Sequence, residues 1–337
     1  MRWSPGLNLL TGENGSGKTN ILEGINIISG WGPLDRGTKT LSIPSWNSGS
    51  TEVQLTGELE SSEIIKVKIS RRYAIRIDDK ASSASELRWK IPVLTFLPDD
   101  MSIVEGSSVF RRRLLDMVLA LIIPPYAMRL SEYRRGVRQK ALFLKRGMPS
   151  MIADRALLPL ASWIWRMREE GVALLADSLG GFEQLAPFGI GLSLKRGGAG
   201  FERDCADDYA KALVVNGERE RAMRFPVVGP HRDDIIITSQ GRPASSALSR
   251  GLRRRTAMAL MLAASESVRR KLGREPVLLL DEVAAELDPA GKEQLFSTLH
   301  ARGGQIFAAT AEPISPEVPC AVYKISSGKI DKIEEKV

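Results

Sequence analysis

Residues 7–28 read Leu-Asn-Leu-Leu-Thr, then Gly-Glu-Asn-Gly-Ser-Gly-Lys-Thr (12–19), then Asn-Ile-Leu-Glu-Gly-Ile-Asn-Ile-Ile, and this stretch decides the fold. Its central eight residues spell GxxxxGK[ST]. The apolar run before them has the look of a strand, and Ile21, Leu22, Ile25 and Ile28 recur with the period of a helix. In that setting Gly12, Gly15 and Gly17 let the backbone turn N–H groups around phosphate oxygens, with Glu13, Asn14 and Ser16 completing the loop. The following helix presents its positive end to the same charge. Lys18 is placed to reach the β- and γ-phosphates, and Thr19 to hold Mg2+ through its hydroxyl. The expectation is an α/β domain that binds a nucleoside triphosphate.

A second stretch carries the complementary chemistry. Val277-Leu278-Leu279-Leu280 is a short unbroken apolar run, the mark of a strand buried on both faces of a sheet. It ends in Asp281-Glu282, at the carboxyl end of the strand where α/β sheets bind ligands. Asp281 is expected to order the Mg2+ shell with Thr19, and Glu282 to polarise an attacking water. Alone, such a pair is more often a turn or helix cap. The phosphate loop upstream reverses that preference. Between these stretches, Leu248-Ser249-Arg250-Gly251 precedes a long helix expected from Gly251 to about Leu272. Ser249 and Gly251 at such a helix start can form a second anion site, although the tetrapeptide in isolation reads as a serine N-cap. Asp288-Pro289 suits the start of another helix.

Composition narrows the class. A chain of 337 residues supports one large core and a second lobe. Apolar residues make up 43% and mean hydropathy is −0.11, with no apolar run as long as a membrane span. Met1 to Pro5 lead into the first strand without an apolar signal core, so a cytoplasmic protein is expected. Cys205 and Cys320 stand far apart without a CxxC, which suggests neither a zinc site nor a disulfide framework. Lys and Arg exceed Asp and Glu by 48 to 40, and a pI near 9.5 makes nucleic acid the leading polyanionic partner.

The pattern along the chain predicts a core from residues 1–100 and 224–337, interrupted by a mainly helical, basic lobe at 101–223. Gly30 to Ser50 reads as a loop. Alternation of Val53, Leu55 and Leu59, and of Ile65, Val67 and Ile69, predicts an antiparallel meander. Pro92 to Leu97 is a further strand. From Arg111 to about Asp177 the pattern is helical, broken at Pro124-Pro125 and at Gly147-Met148-Pro149. Strands follow at Val227-Val228 and Ile235-Ile236-Ile237, then at Ile306 to Ala309, and Val322 to Ile330 closes as a hairpin around Ser327-Gly328. Between Arg111 and Arg146 lie ten basic residues against Asp116 and Glu132. Of these, Arg129, Arg134, Arg135, Arg138, Lys140, Lys145 and Arg146 are candidates to follow a phosphate backbone, giving salt-sensitive and sequence-independent binding. Some of Arg111, Arg112 and Arg113 are expected to stay inside the protein. At least one of Arg253, Arg254 and Arg255 is expected to serve the core or a dimer, since they face different sides of one helix.

The order of phosphate loop, inserted lobe, Leu-Ser-Arg-Gly, Leu-Leu-Leu-Asp-Glu and then Glu286-Leu287-Asp288 resembles the ATP-binding-cassette superfamily and its SMC-type branch. Within it the chain resembles the RecF family over nearly its whole length. The resemblance rests on Ser4 to Asn8, Leu97-Pro98-Asp99-Asp100, Arg111 to Asp116, Pro125-Tyr126 with Tyr133, and Gly229-Pro230-His231-Arg232-Asp233-Asp234. It implies an ABC-type P-loop ATPase head, with mixed sheet, antiparallel meander and an inserted helical lobe. It also implies ATP and Mg2+ as ligands, with Ser249, Gly251 and Asp288 completing the phosphate site of a second subunit, hence an ATP-dependent homodimer. By the same resemblance the task is weak ATP hydrolysis as a switch on duplex DNA and gap junctions. The partners RecR and RecO would help RecA load during replication, repair and the SOS response to DNA damage. Family chains usually carry an additional strand before the loop, whereas eleven residues precede Gly12 here. The rivals are a transporter ATPase subunit and an SMC-like structural clamp. The first is disfavoured by Leu252 where Gln is common, by Thr310 where a switch histidine stands, and by the lack of a magnesium-sensing glutamine after Leu97. The second is disfavoured by the absence of sustained heptads from 111 to 201.

Overall fold

A computed structural model describes residues 2–34, 52–70, 73–186, 189–198, 200, 202–282, 287–311 and 317–336. In chain order the elements are β1 (Leu7–Thr11), α1 (Lys18–Ile28), β2 (Val53–Glu58), β3 (Ile64–Ile69), β4 (Tyr73–Ile77), β5 (Lys80–Ala81), α2 (Ala84–Lys90) and β6 (Val93–Phe96). There follow α3 (Ser108–Ile122), α4 (Tyr126–Lys145), α5 (Met151–Leu179), β7 (Ile190–Lys195), α6 (Cys205–Met223), β8 (Asp234–Ser239), β9 (Arg242–Pro243) and α7 (Ala244–Ala247). The chain continues with α8 (Arg250–Leu272), β10 (Val277–Asp281), α9 (Pro289–Arg302), β11 (Ile306–Thr310), β12 (Cys320–Ser326) and β13 (Lys329–Lys336). Of the loop expected from Gly30 to Ser50, residues 35–50 lie outside the described residues.

Two compact units emerge, Met1–Pro98 with Leu272–Val337, and Asp99–Lys271. The first is built on a six-stranded sheet of order β13-β12-β1-β11-β10-β6, parallel except for β13. The mostly apolar strands β1, β11 and β10 and the edge strand β6 are buried almost throughout: every residue of β6 and β11 is buried, as are four of five in β1 and in β10. Runs of this kind suit strands covered on both faces. A four-stranded antiparallel sheet, β2-β3-β4-β5, packs Ile65, Val67 and Ile69 against Ile27 of α1 and Leu87 of α2. The alternation of β3 is what places those three side chains on one face.

The second unit packs α3, α4, α5 and α6 around Trp165, Tyr126, Tyr133 and Tyr209, with the antiparallel sheet β7-β8-β9 beside them. Helix breaks fall at Pro124-Pro125 and at Gly147 to Pro149, where proline and glycine punctuate the helical pattern. In α8, residues 256 to 265 are all buried, as a helix apolar on every side must be. Residues 224–271, read from the sequence as part of the core, pack within this unit. The reason is β7, which pairs with β8 from Ile190 opposite Ser239 to Lys195 opposite Asp234, together with Ser267 Oγ of α8, 2.9 Å from Ser178 Oγ of α5. Val227-Val228 is not a strand. Their N–H groups donate to Glu220 Oε1, at 2.8 and 3.3 Å, instead of to a sheet neighbour.

Candidate functional site

The loop between β1 and α1 has the Gly12, Glu13 and Ser16 carbonyls occupied and no side-chain cap at its helix start. Lys18 is buried, and its Nζ donates back to Gly12 O at 2.7 Å and Glu13 O at 3.1 Å, while Ser16 N donates to Glu13 O at 3.1 Å. Gly17 caps α1 at φ 109° without a side-chain cap. Gly12 is required by close approach, since a Cβ there would lie 2.3 Å from Ile325 O. Ser16 Oγ is buried with no hydrogen-bond partner. Such an orphaned hydroxyl beside a helix start without a side-chain cap and a buried ammonium fits a bound polyphosphate.

The acidic pair meets this loop within the same unit. Asp281 ends β10, and Thr19 Oγ1 donates to its carboxylate at 3.2 and 3.1 Å. Burial pushes the Asp281 carboxyl above the usual range, and the Thr19 hydrogen bond only partly opposes it. A hydroxyl and a desolvated carboxylate in contact form the all-oxygen donor set that Mg2+ takes. No group of three His, Cys, Asp or Glu able to hold a metal occurs among the described residues, so a cation here would need further oxygens from phosphate or water.

Glu282 stands next, with Oε1 3.6 Å from Lys18 Nζ and Oε2 accepting from Ala311 N at 3.1 Å. Its φ is 51°, left-handed backbone that a residue with a Cβ seldom adopts, and the Glu282 N–H is tied to Ala309 O at 3.0 Å. Strain of this type gathers at functional positions.

The remaining nucleotide-loop candidates are partly structural. Ser249 is exposed, and its Oγ accepts from Leu252 N at 3.4 Å, a weak N-cap of α8, while Gly251 opens on free space. Asp288 caps α9 by accepting from Gly291 N at 3.0 Å, with Pro289 in the first turn. Val283 and Glu286 of the expected acidic and D-loop motifs lie outside the described residues.

The basic candidates separate by burial. Arg135, Arg138, Lys145 and Arg146 are exposed on α4 and its end. Arg134 is exposed but reaches Asp116 at 3.1 Å, and the Arg129 guanidinium lies 4.5 Å from the centre of the Trp163 ring. Lys140 does not belong with them. It is 1% exposed and its Nζ lies 2.7 Å from Asp154 Oδ1 and 2.5 Å from Glu220 Oε2, so it neutralises two carboxylates inside the unit and cannot meet DNA. Arg111, Arg112 and Arg113 also stay inside: they bond to Asp234, to Asp233 O and to Asp100 respectively. Arg253 pairs with Glu105 at 3.1 Å.

Sequence reasoning left the side chains of Gly229 to Asp234 unassigned, and the structure supplies their roles. Arg168, 2% exposed, donates to Pro230 O at 2.5 Å, Asp233 Oδ2 at 2.7 Å and Asp116 Oδ1 at 2.9 Å. Burial opposes its charge, but Asp116, Tyr126 and Asp233 outweigh that and hold the guanidinium charged. Asp233 also accepts from Trp165 Nε1 at 2.8 Å and Gly197 N at 2.7 Å. His231 Nε2 faces Pro226 O at 3.1 Å, which can only accept, so in the neutral ring Nδ1 accepts from the Tyr133 hydroxyl at 2.7 Å. Burial lowers the His231 pKa to about 4. The block is thus an internal polar hub of the second unit.

With this geometry in place, comparison with known proteins is informative. A family profile described as the RecF/RecN/SMC N terminal domain matches residues 1–328. The DNA replication and repair protein RecF of Heliobacterium modesticaldum is 30% identical over 98% of this chain and 94% of its own. That of Escherichia coli is 31% identical over 97% and 94%. A solved structure of the recombination mediator protein RecF-ATPrS in the RecFOR pathway superposes with a TM-score of 0.86 at 24% identity, covering 99% of this chain and 94% of that one. An SMC head bound to the C-terminal winged-helix domain of ScpA superposes at 0.51 and 14% identity. The fold is therefore that of an ABC/SMC-type ATPase head.

Proposed function

The chain belongs to the RecF family, within the RecF/RecN/SMC N-terminal domain group, and from that premise we propose that it is an ATP-dependent DNA-binding protein of replication and repair. The observation that carries the reading is the meeting of Lys18, Thr19, Asp281 and Glu282 at the carboxyl ends of β1 and β10. Lys18 and the loop amides bind the phosphates, and Thr19 and Asp281 hold Mg2+, which when bound neutralises phosphate charge. Glu282 orients and polarises the water that attacks, its backbone fixed by the bond to Ala309 O. In this reading the first unit is the nucleotide-binding body. Asp99–Lys271 carries the exposed cations Arg135, Arg138, Lys145 and Arg146, which follow the phosphates of duplex DNA. Ser249, Gly251 and Asp288 contribute to the nucleotide site of a second copy, so ATP closes a homodimer on DNA and slow hydrolysis opens it. Work at gapped or stalled replication sites, with RecR and RecO and in aid of RecA loading, belongs to the same proposal, as does a cytoplasmic location. No helix among the described residues is long and apolar enough to cross a membrane.

Sedimentation with Mg2+, with and without ATP, on wild type and Lys18→Met, tests this directly. The expected outcome is a dimer that forms only with ATP, binds duplex DNA and is lost in Lys18→Met. A wild-type monomer under every condition, with no nucleotide bound, overturns it.

A further inference from the structure

A phosphate-binding loop requires its peptide planes to face the right way, and here three of its carbonyls are pinned. In a trans peptide the N–H points opposite to the C=O, and no cis bond occurs among the described residues. Gly12 O and Glu13 O are held by Lys18 Nζ, so the amides of Glu13 and Asn14, which share those planes, face the other way. The third carbonyl is Ser16 O. Helix α1 begins at Lys18, which leaves Ser16 O outside its ladder, and its donor is Gly328 N at 2.9 Å. Gly328 lies in the turn between β12 and β13, near the other end of the sequence.

That turn has a spare amide to give. Ser326 and Lys329 are its last paired residues, leaving Ser327 at φ 47° and Gly328 at φ 76°, the two positive values of a type I′ hairpin turn. The second central residue of such a turn has no acceptor for its N–H within the hairpin. The same hairpin meets the loop at two further points. A Cβ on Gly12 would collide with Ile325 O, and one on Gly17 would lie 3.5 Å from Gly328 Cα.

We propose that the β12–β13 hairpin is a positioning element of the nucleotide site, in which the Gly328 amide holds the Ser16 carbonyl and thereby aims the Gly17 amide at the phosphates. The proposal rests on the ATP reading above and adds to it a residue outside every motif quoted for that reading. Coupling of this kind is reciprocal: if the seated hairpin favours the nucleotide, the nucleotide must favour the seated hairpin.

The test removes one N–H. With residues 1–319 activated as a Pro319 selenoester, which offsets the low reactivity of a prolyl thioester, residues 320–337 can be joined at Cys320 as a synthetic peptide with glycolic acid at 328, giving the chain with an ester in place of that amide. Relative to the all-amide ligated chain, ATP binding with Mg2+ is expected to weaken about fivefold, the scale of one hydrogen bond. A hairpin that merely finishes the sheet edge would lower the thermal midpoint and leave Kd for ATP unchanged well below it, and that result overturns the proposal. Hydrogen exchange on the unmodified protein decides the matter if the ester chain does not fold. Exchange of the Gly328 amide is expected to slow about fivefold on saturation with ATP, and equal rates with and without nucleotide overturn the proposal. A wild type that binds no triphosphate would bring down the nucleotide reading and this proposal with it, whereas normal ATP binding by the ester chain would bring down this proposal alone.

Discussion

Two polar clusters in this molecule have similar ingredients and opposite states. Around the phosphate loop, Lys18 leans on backbone carbonyls, Ser16 Oγ has no partner, and Glu282 is held in left-handed backbone. Around Arg168, a guanidinium, two carboxylates, Tyr126 and Pro230 O satisfy one another in full burial. The contrast separates a site from a scaffold. A site keeps donor capacity and strain in reserve for a ligand, whereas a saturated network fixes a single packing.

The hardest blow to this contrast is Arg168→Met. It strands Asp233 without its ion-pair partner, leaves Asp116 only the exposed Arg134, and is expected to cost about 3–5 kcal/mol, read by urea unfolding with Trp165 beside the lesion as reporter. Unchanged stability would mean that the hub, too, holds capacity in reserve. Next comes pH. The neutral His231 ring is favoured by folding, since its pKa falls from 6.5 unfolded to about 4. The stability it contributes is therefore complete above pH 6.5 and is lost as pH falls from there through about 4, to a total of about 3 kcal/mol. In His231→Gln the slope of stability against pH across that window should flatten, and a wild-type slope in that variant would refute the assignment.

The α4 cations sharpen the contrast on a single helix. Arg135→Ala with Arg138→Ala is expected to weaken duplex binding on the order of tenfold at moderate salt and to lower the salt slope by about two. Lys140→Met should leave the slope alone and destabilise the fold, and a changed slope would return Lys140 to the DNA face. The smallest effect concerns Glu282. Glycine adopts φ 51° freely, so Glu282→Gly should be more stable than Glu282→Ala by about 1 kcal/mol in thermal unfolding, the reverse of the usual order. Alanine equal to glycine would show that the backbone there is unstrained.

What could be read from the sequence was local or strongly periodic. The phosphate loop is eight contiguous residues, β10 is one apolar run, and the α3, α4 and α5 boundaries follow proline and glycine. Residues whose roles depend on distant partners could not be read. Lys140 looks like any lysine of a basic helix until Asp154 and Glu220 close on it. The hub joins Asp233 to Arg168 and Trp165 across more than sixty positions. The alternation of Ile190, Leu192 and Leu194 was available as a strand signal for β7, and with it the true surroundings of β8. Val227-Val228 has strand-like residues, but the Glu220 carboxylate takes their amides first.

Strand β1 is flanked on one side by β11 and on the other by β12, with Leu7 opposite Ile306 and Asn8 opposite Ala321. On a translating ribosome its two neighbours emerge about 300 residues after it. At about 5–20 residues per second, β1 waits roughly 15 to 60 s for a partner. Asp99–Lys271 is contiguous and can mature during that interval. A nascent chain therefore acquires its scaffold before its nucleotide site, and a product truncated before β11 and β12 would be born with the phosphate-loop sequence and neither strand that flanks β1.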